Sequence, residues 1–327
     1  MKRTTCVVGI GEVLMDVFEN GEATLGGAPL NVIFHFHHLS TATALWQGEA
    51  VILSAVGSDP SGRYIRSAVA TAGISTDYLA EVERPTGSAL VFESEGGAGF
   101  EILPDVAWDY IRLSDGASDL ALQCDAVVFG SLAQRSEVSR ESIRHFVSQV
   151  NGHRLFDVNL RRNTTSGVAG YSAEIIAKSL ELATLAKMND WELEEVCSLL
   201  GFNSESLDSG DRTRLLMERL REEFSLDAVA VTRGSKGALL ASRGKYLKLP
   251  DSGLDQSLVH PVGAGDSFVA GLLFGIMQEW ALEYCLELAN ILSSWVVRNV
   301  SATPPLPESV LSKIRGLHLK ASMMTLL

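Results

Sequence analysis

The stretch "LVHPVGAGDSFVAGLLFGIM", residues 258–277, sets three small residues and one aspartate immediately ahead of an apolar run. Gly263-Ala264-Gly265 removes side-chain bulk where the backbone turns, and Asp266 then stands at or near the first turn of a helix expected over 266–279. Backbone amides freed of side-chain bulk can converge on an anion, and the helix that follows adds the positive end of its dipole. A carboxylate held beside them can take a proton from an attacking hydroxyl. Phosphoryl transfer needs both, because it depends on stabilised oxygens and a positioned nucleophile rather than on covalent chemistry by the protein. On local spacing alone a second reading is equally open, in which the glycines shape a turn and Asp266 caps a helix.

Upstream, short β-branched runs alternate with longer amphipathic ones. "CVVGIG", "VILSAVG", "AVVFG", "RLFDVN" and "AVAVTRG" read as strands, and 30–40, 61–73, 137–150 and 172–186 read as helices. This succession predicts a parallel sheet covered by helices on both faces. Such sheets bind ligands at the carboxyl ends of their strands, and the polar motifs fall there: Asp16, Asp157 to Arg161, and Thr232 to Gly234. Residues 86–103, "TGSALVFESEGGAGFEIL", break the rhythm by alternating apolar and polar side chains around Gly96-Gly97, the pattern of a β-hairpin. With 13–25 it would form a small β lid over the sheet's mouth; a plain edge hairpin fits the pattern equally well. No linker, repeat or low-complexity tract divides residues 1–327, so the lid is expected to be an excursion from a single domain.

With 46% hydrophobic and 20% charged residues the chain reads as globular. Its net charge of −13 would repel nucleic acid and anionic lipid, so an anionic ligand must be held by local donors. Cys6, Cys124, Cys197 and Cys285 form no metal-ligand or disulfide spacing, which suits a reducing cytoplasm. The apolar run Phe268 to Met277 falls short of the roughly 20 residues of a membrane span. His35, His37 and His38 lack a completing carboxylate or cysteine and are expected at the helix surface or core edge. No GxxxxGK[ST] P-loop exists, and the five tryptophans are scattered as packing residues.

The chain resembles the ribokinase-like, or PfkB, carbohydrate kinases nearly end to end. Gly263, Ala264, Gly265, Asp266, Phe268 and Gly271 match the family's late signature, and Gly26, Gly27 and Asn31 match its early one. "VGSDPSG", "KMNDWEL" and "VTRGSKGALL" match segments between them, and within the family "GEVLMD", "GGAPLNV" and "DVNLRRN" are most similar to fructokinases and 2-keto-3-deoxygluconate kinases. The resemblance implies a three-layer αβα Rossmann-like sandwich with a small β-sheet lid. It also implies an ATP-dependent sugar kinase that uses Mg²⁺, with fructose as the first substrate and 2-keto-3-deoxygluconate, another sugar or a nucleoside as alternatives. A catalytically silent sugar-binding protein of the same fold is the alternative outside the enzymes.

By position the resemblance makes Asp266 the general base and the amides of Gly263, Ala264, Gly265 and Asp266 the anion hole. Asp16, Gly27 and Asn31 would bind sugar hydroxyls, Phe100 would cover the sugar, and Arg161 would reach substrate or phosphate. Asn189, Thr232, Gly234 and Asn290 would line the ATP site, with Glu192 holding Mg²⁺ through water. Taken singly, each has a plainer reading: Asp16 as a turn residue, Asn31 at a helix start, Glu192 as a solvated helix carboxylate. His260-Pro261 replaces the family's usual Asp-Thr, and since imidazole is a poor substitute for a hard carboxylate ligand, K⁺ activation is in question. A homodimer paired through the lid is compatible with the resemblance.

Overall fold

The computed structural model of the chain describes residues 5–94, 97–161, 171–202, 212–250 and 262–325. Within them the strands are β1 (Thr5–Ile10), β2 (Leu14–Phe18), β3 (Ala23–Gly26), β4 (Gly48–Gly57), β5 (Leu79–Val82), β6 (Gly87–Ser94), β7 (Gly97–Ile102), β8 (Ala126–Gly130), β9 (His153–Asp157), β10 (Leu185–Asn189), β11 (Ala228–Thr232), β12 (Ala238–Ser242) and β13 (Lys245–Lys248). The helices are α1 (Ala28–Thr43), α2 (Pro60–Thr71), α3 (Ala117–Gln123), α4 (Glu137–Gln149), α5 (Ala173–Leu182), α6 (Asp190–Leu199), α7 (Arg212–Glu223), α8 (Ala264–Met277), α9 (Leu282–Val296) and α10 (Glu308–Thr325).

Nine strands form the central sheet in the order β13-β12-β11-β10-β9-β8-β1-β4-β5. From β11 to β5 every neighbouring pair is parallel, and β12 and β13 extend one edge antiparallel. Period-two side-chain alternation divides the core between the two faces. Val8, Ile10, Val127, Phe129 and Met188 pack with residues of α4 to α7, whereas Val7, Ala126, Val128 and Leu155 pack with α1, α2 and α8 to α10. Both faces are thus covered, which is why a central parallel strand such as β8 is apolar and buried along its whole length. The chain leaves β1 toward β4 on one side and returns to β8 on the other, and this reversal opens a crevice at the strands' carboxyl ends.

A second sheet, in the order β3-β2-β6-β7, is built from the two segments expected to form the lid. β6 and β7 pair antiparallel as the hairpin pattern predicts, and β2 joins them by parallel pairing with β6. Alternation sets the faces here as well: Ala89 and Val91 are buried while Leu90 between them is 45% exposed.

One expected helix is corrected. The helical pattern over 172–186 ends at Leu182, and Leu185–Asn189 is strand β10. Ser172 caps α5 by accepting from the Ile175 amide, as an N-cap serine should. The run "LAKMN" is too short for periodicity to separate strand from helix, and its lysine hides a strand that is buried along most of its length. No helix among the described residues is long and apolar enough to cross a membrane.

Candidate active site

A cleft of about 620 Å³ lies between the carboxyl ends of the central strands and the inner face of the small sheet. The small sheet contributes Leu14, Asp16, Ala89, Gly99, Phe100 and Ile102. The central sheet and its loops contribute Glu12, Arg161, Lys187, Asn189, Glu192 and Thr232, and the start of α8 contributes Gly263, Gly265 and Asp266.

Gly263 caps α8 with φ 79, a left-handed conformation that favours glycine. Its α-carbon also faces Ala302 so closely that a Cβ would fall 2.6 Å from the Ala302 carbonyl oxygen. The turn therefore brings the helix start hard against the loop at 302. The first amides of α8 have no partner within the helix, so they are available to an anion in the cleft. Asp266, in that first turn, is 8% exposed, and its Oδ2 accepts a hydrogen bond of 2.8 Å from Asn31 Nδ2. Burial pushes the Asp266 carboxyl up to about 6, with Asp157 adding to the rise and Asn31, Lys187 and Arg161 opposing it. A carboxylate poised there is largely ionised near neutrality yet basic enough to accept a proton.

Two further carboxyls share this end of the cleft. Burial raises Asp16, on β2, to about 7 against the pull of Arg161, with Asp266 adding. Glu12 is likewise raised by burial to about 7, held back by the amides of Glu12 and Ala28 and by Arg161. Among the described residues Glu12 Oε2, which is buried, finds no hydrogen-bond partner. Arg161 is steadied from two sides, by a 2.6 Å hydrogen bond to Asn159 Oδ1 and by the Phe100 ring 4.9 Å from its guanidinium carbon. The small sheet and the β9 loop therefore meet through a cation–π contact inside the cleft.

The other end is built on β10 and α6. Asn189 and Glu192 form a reciprocal cap, with Asn189 Oδ1 accepting from the Glu192 amide at 3.0 Å and Glu192 Oε2 accepting from the Asn189 amide at 2.7 Å. Glu192 Oε1 accepts from the Leu160 amide at 2.8 Å. Burial raises the Glu192 carboxyl, opposed by nearby Lys187. At 2% exposure Glu192 is not the solvated helix carboxylate of the plainer reading. Since both oxygens already serve backbone amides, Glu192 suits a divalent cation through water better than direct ligation. Among the described residues no three or more His, Cys, Asp or Glu side chains assemble as a metal site.

Of the residues singled out in the sequence, Asp266, Gly263, Gly265, Asp16, Gly27, Asn31, Phe100, Arg161, Asn189, Thr232 and Glu192 line one cleft. Ala264 is the first residue of α8, between two lining glycines. Gly234, beyond β11, and Asn290, on α9, do not line it. His260 and Pro261 lie outside the described residues. His35 is buried rather than at a surface, its Nε2 2.8 Å from the Ala302 carbonyl. Glu12 and Lys187 escaped the sequence reading, although each is a charge interrupting an apolar run, "GIGEVL" and "LAKMN".

Residues 5–309 match the pfkB family carbohydrate kinases. The chain belongs to that family and is a sugar kinase. The uncharacterized sugar kinase PH1459 of Pyrococcus horikoshii is 27% identical over 286 residues, 83% of either chain. Its crystal structure matches with a TM-score of 0.75 at 24% identity, covering 94% of this chain and 97% of that one. The fructokinase of Salmonella typhimurium is 27% identical over 316 residues, 91% of this chain and 95% of the relative. Fructokinase from Xylella fastidiosa, solved with bound ATP, has a TM-score of 0.76 over 95% of this chain and 98% of that one; at 20% identity the likeness is one of fold.

Proposed function

We propose that the protein transfers the γ-phosphoryl group of ATP to a hydroxyl of a neutral keto sugar, fructose first, with Asp266 as the general base. The observation that carries this reading is the Asp266 carboxylate, hydrogen-bonded by Asn31 and set in the first turn of α8 where unpaired amides face the same cleft. Asp266 takes the hydroxyl proton as the acceptor oxygen attacks, while the amides of Gly263 to Asp266 receive the charge of the migrating group. Asp16, Gly27 and Asn31 orient the sugar, and Phe100 and Arg161 close over it. Asn189 and Thr232 face the nucleotide, with Gly234 and Asn290 assigned to its outer part. Mg²⁺, when bound, would neutralise phosphate charge, and Glu192 would hold it through water. The small sheet, at about 13–25 and 86–103, acts as a lid of the single kinase domain and excludes water that would otherwise hydrolyse ATP.

Arg161 favours a second acceptor, 2-keto-3-deoxygluconate, whose carboxylate a guanidinium would bind. Glu12, Asp16 and Asp266 all interact with Arg161, so the guanidinium already has carboxyl partners within the protein, which supports a neutral polyol over an acid. An ADP-release assay over fructose, other ketohexoses, 2-keto-3-deoxygluconate and nucleosides tests the reading. ATP-dependent turnover highest with fructose is expected. Binding of sugar without turnover of any would instead support a silent binding protein.

A further inference from the structure

Lys187 sits on β10 where side-chain alternation calls for an apolar core residue, on the face that packs against α8. It is 4% exposed yet lines the cleft. Among the described residues its one hydrogen bond is to Asp157 Oδ1 at 3.1 Å, so two of the three ammonium donors are unspent. The carboxylate it pairs with is itself half-used, since among the described residues the buried Asp157 Oδ2 has no partner. A Cβ on Gly265 would fall 2.7 Å from Lys187 Nζ, so Gly265 has no side chain where the ammonium lies.

This placement runs against electrostatic preference. The start of a helix carries partial positive charge and ordinarily attracts carboxylates, whereas here a desolvated ammonium abuts the first turn of α8. Burial works to discharge Lys187, but Asp157 and Glu192 outweigh it and hold its pKa above the ordinary lysine value. Two positive elements crowded at one point, with donors left over, fit a multiply charged anion between them.

Resting on the kinase reading above, we infer that Lys187 is a side-chain member of the anion hole, donating hydrogen bonds to the non-bridging oxygens of the phosphoryl group in transfer. The acceptor oxygen forms the new P–O bond as the bond to the nucleoside diphosphate breaks, and the diphosphate leaves with the electron pair. The hydroxyl proton passes to Asp266, and Lys187 keeps its own protons throughout. Its contribution is greatest while charge spreads over the equatorial oxygens, so it acts on kcat more than on sugar affinity.

Two variants test this at pH 8, where Asp266 is ionised: Lys187→Met, and Lys187→Met with Asp157→Asn, which removes both buried charges and so preserves the fold if the single change does not. The folded variants are expected to lose about 100-fold or more in kcat, with sugar KM moved by no more than about threefold. ADP with aluminium fluoride and fructose, a mimic of the group in transfer, should bind them at least about tenfold more weakly than wild type while ADP alone binds equally. A folded double variant with wild-type kcat, or with an unchanged ratio of mimic to ADP affinity, overturns this inference alone. A wild-type protein that phosphorylates nothing on the substrate panel overturns the kinase reading and this inference together.

Discussion

Asn31 Nδ2 lies 2.8 Å from Asp266 Oδ2, tying the first turn of α1 to the first turn of α8 across 235 residues of chain. The bond orients the carboxylate toward the cleft and favours its charged form, lowering a pKa that burial raises. Replacing Asn31 by Ala should move the acid limb of the kcat/KM profile from about 6 upward by about one pH unit. An Asn31→Ala profile superimposable on wild type would show that the bond does not tune the base.

Gly263 makes a second, purely steric prediction. Gly263→Ala asks an L-residue to hold φ 79 and to place a methyl 2.6 Å from the Ala302 oxygen, so either the turn or the loop at 302 must give. A loss of about 1–3 kcal/mol in stability is expected. Because the displaced amides are those proposed to receive the migrating phosphoryl group, kcat should fall even at temperatures where the variant is folded. Urea denaturation and steady-state kinetics on the same preparation read both effects.

Much of this architecture is legible from one sequence because it rests on local pattern. Apolar runs such as "AVVFG" are stable when both strand faces are covered, and alternation in 86–103 shows which residues of the small sheet turn inward. Asp266, Asn31 and Arg161 are legible through motif spacing, and the structure adds that Arg161 rests on Phe100. Buried charge is harder to read, since a letter does not say what will surround it. Lys187 is a single charged letter in a short apolar run until β10 places it beside Gly265, and Glu192 looks solvated until the Leu160 amide closes over it. His35 shows the same limit, for its partner Ala302 lies 267 residues away.

Glu12 carries a prediction about stability and pH. Its carboxyl titrates at about 7 in the folded protein against 4.5 as the ordinary value, so the native state binds more protons than the unfolded chain between those values. Stability from this group is therefore present at low pH and lost as pH rises through 7. Glu12→Gln keeps an acceptor for the Ala28 amide and removes the charge. Relative to wild type, the variant should be more stable at pH 8 than at pH 5 by an amount on the order of 1–3 kcal/mol. An equal difference at both pH values would contradict a neutral Glu12 in the folded state.

The central claim is that Asp266 removes the acceptor's proton, and Asp266→Asn isolates it, because the amide oxygen can still accept from Asn31 while the basic site is gone. With ATP and the best acceptor of the panel, kcat should fall by about 10³-fold or more while the dissociation constant for the sugar, measured calorimetrically, changes by less than about threefold. A well-folded Asp266→Asn protein turning over at close to the wild-type rate would contradict the account.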